Sequence, residues 1–413
     1  MTKDTNAIHH DPKSIKKRPT WPLSVRHFVA FTRDSGHLLS QGSWRAKDRE
    51  SNEIRNPLQN QRPPQYQVAV RISERFTHEH VCIQLQGRLD GLLPSPLPII
   101  EEIKTTVQST ETLQTREDHW LNLYCHAWLF LRNDVVRNDV LHSHVLQNNN
   151  QNMGSDHCLI QLTYYNAEQR TEKSFCIGTT RKLLDAYFQP KLTQYFEWLT
   201  HFFAHRTARN AYLKRSVFPY EYERPQQVEM MSIVRETLHT HDTLLLEAST
   251  GIGKTAAVTF PALQQLSSSL RSRLLCLSAK ITTQANTQVF LALMSGTDRP
   301  LKVLQLTAQE RLCACLHTDG RSACPMRLNY YRHLHAARQE AYAQHWLDTA
   351  TIQNIANQHA VCPYRLQFEI LPWVDVIIAD YNYVFDPRSN VLHLFEHDLK
   401  QTYVLIDECH NLI

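Results

Sequence analysis

Short apolar runs alternate with helical patterns over the second half of the chain. The runs TLLLEA (243–248), RLLCLSA (273–279), VDVIIAD (374–380) and TYVLID (402–407) have the composition of buried strands, and amphipathic segments separate them. Strands that alternate with helices predict a parallel sheet that is covered on both faces. We therefore expect an α/β domain over residues 210–413.

Residues 21–205 show a different pattern, in which strand-like and helical segments are grouped. Apolar residues at helical spacing predict a helix over 116–132 and favour a short one over 21–32. A long helical pattern covers 183–207, where Pro190 should force a break because it lacks an N–H group. Four segments have the alternation or composition of strands: 66–76, 80–92, 158–166 and 174–180.

Composition limits the class of protein. At roughly 100 to 200 residues per domain, a chain of 413 residues should form two or three domains. Hydrophobic residues make up 42% and charged residues 20%, which excludes a wholly disordered or fibrous chain. Residues 1–20 are polar and basic, so we expect them to form a disordered tail. No apolar run is long enough to span a membrane, so we expect a cytoplasmic protein. The net charge of +4 allows a nucleic-acid partner without requiring one.

The segment EASTGIGKT has the composition of a phosphate-binding loop. Such a loop needs small residues whose N–H groups point at phosphate, a lysine for the terminal phosphates and a hydroxyl for Mg²⁺. Gly251, Gly253, Lys254 and Thr255 supply these groups, although Ala248 stands where the strict pattern has its first glycine. A helix is expected to follow, and its N-terminus would favour anions. A glycine-containing strand-to-helix turn without a ligand is the alternative.

A pair of acidic residues follows the last predicted strand. Asp407 and Glu408 stand where an NTPase needs one carboxylate for Mg²⁺ and another group to orient water. An acidic pair of this kind is weak evidence by itself, because such pairs are common on surfaces. After a phosphate loop in an alternating α/β pattern, the pair indicates an ATP-hydrolysing site that would use ATP and Mg²⁺.

Four of the ten cysteines are grouped between positions 313 and 362. Cys313, Cys315, Cys324 and Cys362 could hold a [4Fe-4S] cluster or a structural zinc ion, or could be buried thiols without a ligand, and spacing alone does not separate these. The basic and aromatic side chains near them suit single-stranded DNA, with a solvated basic face as the alternative. These side chains are Arg311, Arg321, Arg327, Arg332, His333, Arg338, Tyr330 and Tyr331.

A nuclease-like set of residues lies in the first half of the chain. Asp90 falls on one predicted strand, and Glu102 and Lys104 fall on a following strand, where alternation places them on one face. Two carboxylates could bind Mg²⁺ while the lysine steadies an attacking water, as metal-assisted phosphodiester hydrolysis requires. Surface charge on a strand is the alternative.

Five motifs in order give the second half a family resemblance. The chain resembles the iron-sulfur superfamily 2 DNA helicases, the XPD/DinG-like group, over residues 218–413. The resemblance implies a RecA-like motor domain, 5'-to-3' movement on single-stranded or junction DNA, and a [4Fe-4S] insert over 305–370 with the closing signature Cys362-Pro363-Tyr364. The five motifs are FPYEYERPQQ, EASTGIGKT, LSAKITTQ, ADYNYVFDP and IDECH.

The same resemblance assigns roles to single residues. It implies that Arg224 and Gln227 contact adenine and that His410 couples the ATP site to DNA. It assigns Mg²⁺ to Asp407 and water activation to Glu408. The implied nucleotide-binding loop consists of Ser249, Thr250, Gly251, Ile252, Gly253, Lys254 and Thr255, of which Lys254 binds phosphate and Thr255 also binds Mg²⁺.

Residues 21–205 resemble the PD-(D/E)XK nucleases, especially the RecB-like branch. The resemblance rests on Asp90, Glu102 and Lys104 and implies that the two carboxylates bind Mg²⁺. His119 and Tyr124 lie near the place where that branch carries a glutamine and a tyrosine, but Trp120 stands four positions before Tyr124, where the glutamine belongs. The upstream histidine of that branch has no counterpart in NEIRNPLQNQ.

The sequence ends at Ile413, three residues after His410. Helicases of this group continue with a second motor domain that carries arginine fingers, so we expect a fragment that hydrolyses ATP very poorly alone. The sequence does not identify a protein partner that supplies the missing half. The first hypothesis is an ATP-dependent DNA helicase of DNA repair or processing, fused to a nuclease-like domain. The alternatives are a metal-dependent DNA nuclease with a DNA-binding remnant motor, and a non-catalytic DNA-binding remnant.

Overall fold

The computed structural model divides into two compact units. The first comprises Met1–Thr32 and Asp48–Leu199, and the second comprises Arg33–Lys47 and Thr200–Ile413. The division between Leu199 and Thr200 lies inside a helix, before position 210, where we expected the motor domain to begin. The structure describes residues 20–38, 58–134, 156–240, 242–249, 251–270, 272–279, 281–296, 300–313, 324–386, 391 and 399–412. Most of the predicted tail, residues 1–19, lies outside these ranges.

A six-stranded mixed sheet forms the centre of the first unit. β2 is antiparallel to β3, β3 to β4, and β5 to β6, whereas β4 and β5 are parallel. β1 is parallel to the first half of β3, so β3 contacts β2 along one edge and β1 and then β4 along the other. The strands are β1 (Thr20–Ser24), β2 (Gln67–His78), β3 (Val81–Leu93), β4 (Ile99–Thr106), β5 (His157–Asn166) and β6 (Thr171–Thr180).

Two helices of this unit have predicted positions. Helix α1 (Val25–Thr32) begins after β1, so only the second part of the expected helix over 21–32 is helical. Helix α2 (Glu117–Arg132) confirms the helix expected over 116–132. Trp128 of α2 is fully buried, and its ring stacks on Phe76 at 5.2 Å and on Phe188 at 5.1 Å between ring centroids. These aromatic contacts pack α2 against the sheet.

Helix α3 (Arg181–Arg215) is continuous through Pro190, so the predicted break is wrong. Pro190 removes one backbone N–H and leaves the carbonyl of Ala186 without its helical partner. Both residues are exposed, so water can satisfy that carbonyl. Apolar contacts on the other face hold the helix together, because Phe188 and Leu192 are almost fully buried.

The second unit contains the predicted parallel sheet. Its strands lie in the order β11-β7-β10-β8-β9, and every neighbouring pair is parallel. β7 and β10 are buried along their whole length, as expected for central strands with helices on both faces. The strands are β7 (Arg273–Leu277), β8 (Val303–Gln305), β9 (Trp346–Leu347), β10 (Val376–Ala379) and β11 (Thr402–Ile406).

Helices alternate with these strands. α4, α5 and α6 pack on β7 and β10 around a core that includes Met231, Phe260 and Leu291. None of the helices within the described ranges is both long enough and apolar enough to cross a bilayer. The remaining helices are α4 (Pro225–Thr240), α5 (Lys254–Leu266), α6 (Ile281–Ser295), α7 (Gln309–Leu312), α8 (Tyr330–Ala343), α9 (Thr349–Gln358), α10 (Pro363–Ile370) and α11 (Asn382–Phe385).

The strand predicted over 243–248 is not part of the sheet. Residues 242–249 have no strand partner among the described residues, and Leu245 is 83% exposed. A local apolar run favours extended backbone, but a strand also needs a neighbouring edge, which the run does not specify. Leu246 and Ala248 nevertheless pack against the core, so the segment still enters the following loop at the edge of the domain.

Asp375, just before β10, is the centre of a buried ion network. Nε of Arg206 and a terminal nitrogen of Arg209 lie 3.2 and 2.9 Å from its Oδ1. Nε2 of His205 is 2.7 Å from Oδ2, and the backbone N–H of Lys302 donates to the same oxygen at 2.7 Å. Burial opposes ionisation, but Arg206 and Arg209 hold the pKa of Asp375 well below its usual range. The network joins the last part of α3 to the second sheet.

Candidate functional site

The predicted phosphate loop ends where α5 begins. Gly251 and Gly253 both have φ of 83°, in the left-handed region that favours glycine. A Cβ atom on Gly253 would lie 2.2 Å from Nε2 of Gln227, whereas one on Gly251 would meet nothing within 4 Å. Helix α5 then starts at Lys254, so its free N–H groups face the loop. The two glycines and the start of α5 are therefore compatible with a phosphate-binding loop.

The lysine of the loop and the predicted Mg²⁺ ligand are close in space. Nζ of Lys254 donates to the carbonyl of Ala248 at 3.2 Å, and its charge acts on the carboxyl of Asp407. Asp407 follows β11, and its N–H donates to the carbonyl of Leu277 at 3.0 Å. Burial and then the charge of Glu408 raise the pKa of Asp407, with Lys254 opposing them. A cation bound between these groups would favour the ionised carboxylate.

The remaining acidic-box residues are exposed beside Asp407. Glu408 has φ of 54°, which bends the chain sharply after β11. Nδ1 of His410 lies 3.4 Å from Oε2 of Glu408. The hydroxyl of Tyr381 donates to the backbone carbonyl of Asp407, which fixes the end of the strand. Glu408 and His410 are thus available to water and to ligands.

Arg224 and Gln227 contact the loop itself. The Arg224 guanidinium donates to the carbonyl of Gly251, and its backbone N–H donates to Oε1 of Gln227 at 3.1 Å. Gln227 is buried, and its amide lies 3.4 Å from the carbonyl of Gly253. The two residues predicted to contact adenine therefore also hold the loop in place.

Other loop residues have separate surroundings. Ser249 is exposed, Thr255 is half-buried at the start of α5, and Ile252 packs against the core. Thr250 lies outside the described residues. The donor set fits ATP and Mg²⁺, because it combines a lysine, a hydroxyl, free helix N–H groups and a carboxylate.

The nuclease-like residues meet on one side of the first sheet. Oδ2 of Asp90 accepts the backbone N–H of Ile103 at 2.9 Å, which brings Asp90 beside Glu102. Nζ of Lys104 lies 2.6 Å from Oε1 of Glu102. Burial acts to raise the pKa of Glu102, but the charge of Lys104 and the contact with His126 hold it well below its usual range. Glu102 is a buried anion with two nitrogen-bearing neighbours.

Two histidines of α2 lie close to this carboxylate. Nδ1 of His126 is 3.2 Å from Oε2 of Glu102. Nδ1 of His119 is 2.9 Å from the hydroxyl of Tyr164, and burial lowers the pKa of His119 to about 4. The sequence interpretation missed His126; its spacing of seven from His119, two helical turns, was the available signal. Tyr124 instead packs beside Trp120 at 5.9 Å.

Three of the four predicted cysteine ligands are described. Cys362 is buried, and its thiol is within electrostatic range of Cys313 and Cys324. Burial raises the pKa of Cys362, and backbone N–H groups of Arg365 and Tyr364 bond to its sulfur. Cys324 and Cys362 have nearly identical backbone angles, φ −64° with ψ 116° and φ −66° with ψ 116°, and each precedes a proline that starts a helical turn. Cys315 lies outside the described residues.

Thiols that receive backbone N–H groups at sulfur have the chemistry of ligands for an iron-sulfur cluster or zinc, but Cys313, Cys324 and Cys362 are not arranged as a metal-holding group. Two carboxylates in the first unit fit Mg²⁺, which commonly uses one or two carboxylates and keeps several waters. Within the described ranges, no group of three or more His, Cys, Asp or Glu side chains is arranged to hold a metal ion.

The expected DNA-binding face of the insert needs correction. Tyr330 and Arg338 are fully buried, and Arg338 pairs with Glu369 at 3.3 Å, so neither is available to DNA. They lie on the core face of α8, whereas the sequence interpretation treated every basic residue as exposed. Arg311 and Arg332 are exposed, Arg327 and His333 are half-buried, and Arg321 lies outside the described residues.

An N-terminal segment of the second unit covers another part of that face. The guanidinium of Arg33 lies 4.0 Å from the ring centroid of Tyr331. Leu38 and Arg327 exchange two hydrogen bonds, at 2.9 and 3.0 Å, and the N–H of Asn329 donates to His37 at 3.0 Å. Tyr331 is therefore already in contact with an arginine of this chain.

Known proteins with sequence similarity to this chain match residues of the second unit. Residues 267–413 match the DEAD_2 family. "Regulator of telomere elongation helicase 1" from Rattus norvegicus and from Homo sapiens are each 30% identical over 139 residues, which covers 30% of this chain and 11% of theirs. "General transcription and DNA repair factor IIH helicase subunit XPD" from Dictyostelium discoideum is 20% identical over 225 residues, which covers 47% of this chain and 29% of that protein.

The region shared with the telomere helicases spans about a tenth of their length. A solved structure titled "Crystal structure of SSO0001" is 12% identical over a match that covers 35% of this chain and 55% of that one, with a TM-score of 0.20. The similarity to helicases rests on the part of the chain that carries the parallel sheet, the cysteines and the acidic box.

Proposed function

We propose that the second unit is the ATP-binding motor domain of a DNA helicase similar to XPD. The observation that carries the proposal is the proximity of Lys254, at the start of α5, and Asp407, at the end of β11. Two residues toward opposite ends of the predicted motor sequence lie within electrostatic range of each other where β11 ends. The relatives that match this region are named as helicases of telomere elongation and of transcription and DNA repair.

Each residue of this site has one task. Lys254, Thr255 and the loop N–H groups bind the phosphates, and bound Mg²⁺ would neutralise phosphate charge beside Asp407. Glu408 orients the attacking water and holds its proton at a carboxylate oxygen. Arg224 and Gln227 keep the loop in its binding form and would also contact the adenine base of ATP.

His410 couples ATP to single-stranded DNA in this proposal. Its imidazole lies 3.4 Å from Glu408, so a change at Glu408 on ATP binding would reach the exposed end of the acidic box. Movement would be 5'-to-3', and the insert over 305–370 would hold a [4Fe-4S] cluster on Cys313, Cys324, Cys362 and Cys315. Arg311 and Arg332 are the exposed cations that would contact DNA phosphates.

The test is whether ATP changes the affinity for labelled single-stranded DNA. We expect Mg²⁺-ATP to change the dissociation constant of the wild-type chain and of Lys400→Ala, a control at an exposed lysine. His410→Ala should bind ATP normally and lose the change. If ATP leaves DNA affinity unchanged in the wild type, the alternative hypothesis of a non-catalytic DNA-binding remnant replaces the motor.

The geometry also favours a second function, a metal-dependent DNA nuclease in the first unit. The supporting observation is that Asp90, Glu102 and Lys104 lie together, with Glu102 ionised and buried. Bound Mg²⁺ would activate water and stabilise the phosphodiester charge. Asp90→Ala and Lys104→Ala should abolish metal-dependent cleavage of DNA, and Lys254→Ala should not. Cleavage that survives Asp90→Ala would contradict this function.

A further inference from the structure

A buried imidazole holds one oxygen of the Glu102 carboxylate. Nδ1 of His126 lies 3.2 Å from Oε2, and Nζ of Lys104 lies 2.6 Å from Oε1. His126 is 8% exposed and Glu102 is 6% exposed, so water cannot readily replace either contact. Nδ1 of His126 is buried and makes no hydrogen bond of regular geometry, so the Glu102 carboxylate at 3.2 Å is the acceptor within its reach among the described residues. The two oxygens of one carboxylate are thus fixed by two different side chains.

The sheet makes room for this imidazole at a glycine. A Cβ atom on Gly87, in β3, would lie 2.7 Å from Cδ2 and 2.9 Å from Nε2 of His126. Gly87 is not among the glycines with positive φ, so its backbone does not need glycine. Space for the ring of His126, together with a methyl group of Val25 that the Cβ atom would meet at 3.0 Å, is therefore the physical reason for glycine at this position.

The same contact fixes which way the carboxylate faces. A carboxylate has about four acceptor directions, and His126 and Lys104 each use one. The remaining lone-pair directions of Glu102 are therefore fixed in space, because the two contacts restrict rotation of its side chain. Asp90 is held in a similar way, because the N–H of Ile103 donates to its Oδ2. Both carboxylates are therefore oriented before a cation binds.

We propose that His126 is a positioning residue of the nuclease site, an inference that rests on the second proposed function. A proton on Nδ1 would point at Oε2 of Glu102, 3.2 Å away, and would keep the carboxylate turned toward a divalent cation shared with Asp90. Groups that orient metal ligands commonly change metal affinity by about 10- to 100-fold when they are removed. His126 performs this task from α2, not from an upstream segment.

The experiment measures Mn²⁺ binding to the full chain by electron paramagnetic resonance and calorimetry, with Mn²⁺ as the probe for Mg²⁺. His126→Ala should weaken Mn²⁺ binding about 10- to 100-fold. His126→Asn should recover most of it, because the amide nitrogen lies near the position of Nδ1. Gly87→Ala should weaken binding with the imidazole still present, and His80→Ala, at an exposed turn, should have no effect.

The variants separate this inference from the function on which it rests. If Glu102→Gln leaves Mn²⁺ affinity unchanged, or if the wild type binds no Mn²⁺, the nuclease site is wrong and the inference is wrong with it. If Glu102→Gln abolishes binding while His126→Ala and Gly87→Ala do not change it, the site stands and His126 has no positioning role. Should His126→Ala not fold, as judged by circular dichroism, His126→Asn and Gly87→Ala decide the question.

Discussion

The side chain of Gln227 occupies the space beside Gly253, since a Cβ atom on Gly253 would lie 2.2 Å from Nε2 of the glutamine. The contact joins the start of α5 to α4 and sets the form of the phosphate loop. It also explains why the polar side chain of Gln227 is buried near the start of α4. The loop depends on this residue pair as well as on its own glycines.

We predict that Gly253→Ala weakens ATP binding more than Gly251→Ala does. Both positions have φ of 83°, so alanine is strained at each by about 1–2 kcal/mol, but only position 253 adds a clash. Titration with a fluorescent ATP analogue should show at least about a tenfold loss for Gly253→Ala. Adding Gln227→Ala should restore part of the affinity. Equal losses for the two glycine variants would contradict the steric role of Gln227.

We predict that Asp375→Asn strongly destabilises the second unit. Removing one partner from a buried ion network leaves uncompensated charge and costs about 3–5 kcal/mol. Arg206 and Arg209, both fully buried, would lose their shared carboxylate. Urea unfolding should show this loss, while Glu229→Gln, at an exposed position of α4, should cost about 0.5 kcal/mol or less. A small effect of Asp375→Asn would mean that the backbone carbonyls of Ser272 and Val374, which accept hydrogen bonds from the arginines, are enough to stabilise the buried guanidinium groups.

The same carboxylate predicts how stability depends on pH. The pKa of Asp375 is depressed in the folded chain, so the unfolded chain binds more protons at acid pH. Its stabilisation is present above the unfolded pKa of about 3.9 and is lost as the pH falls below that value. Unfolding free energies of the wild type should therefore fall more steeply with acidification below about pH 4 than those of Asp375→Asn. Parallel profiles for the two proteins would contradict this assignment.

We predict that Pro190→Ala stabilises the chain. Alanine restores the N–H that can bond to Ala186 and has higher helix propensity, and the gain is offset in part by about 0.4–1 kcal/mol of unfolded-state entropy. Thermal unfolding should show a net gain of about 1–2 kcal/mol. Gln189→Ala, at the neighbouring exposed position, should change stability much less. A loss on replacing the proline would show that the ring makes a contact that the helix needs.

We predict that Cys362→Ser removes the metal from protein purified without oxygen. The thiols of Cys313 and Cys324 lie within electrostatic range of Cys362. Replacing Cys362 would therefore leave the proposed set of cysteine ligands incomplete. Iron content and visible absorbance should fall to background, while Cys176→Ser, at an exposed cysteine, should retain both. Zinc in place of iron in the wild type would contradict the iron-sulfur assignment but would still support a metal site at these cysteines.

The sequence predicted the features that depend on local pattern. The apolar runs of β7, β10 and β11 form a parallel sheet, and α2 and α5 lie where helical spacing placed them. Gly251, Gly253 and Lys254 were recognisable because a phosphate loop imposes residue types on adjacent positions. Their proximity to Asp407 was expected from the order of strands and helices, since parallel strands end at one edge.

Features that depend on distant partners were missed. The run 243–248 lacks a strand edge, and Pro190 is tolerated because Ala186 faces water. Tyr330 looked like a DNA contact, although its place in α8 buries it completely. His126 was not selected because only the packing of α2 on β3 and β4 brings it to Glu102. In each case the tertiary neighbour, which no short segment encodes, decided the outcome.

The most direct test of the central claim is the Mg²⁺ dependence of ATP binding in wild type, Lys254→Ala and Asp407→Asn. If the loop and the acidic box form one site, the wild type binds an ATP analogue more tightly with Mg²⁺ than without it. Lys254→Ala should lose binding in both conditions, and Asp407→Asn should lose only the gain from Mg²⁺. Wild-type affinity that is independent of Mg²⁺ and unchanged in Lys254→Ala would contradict the assignment of this site.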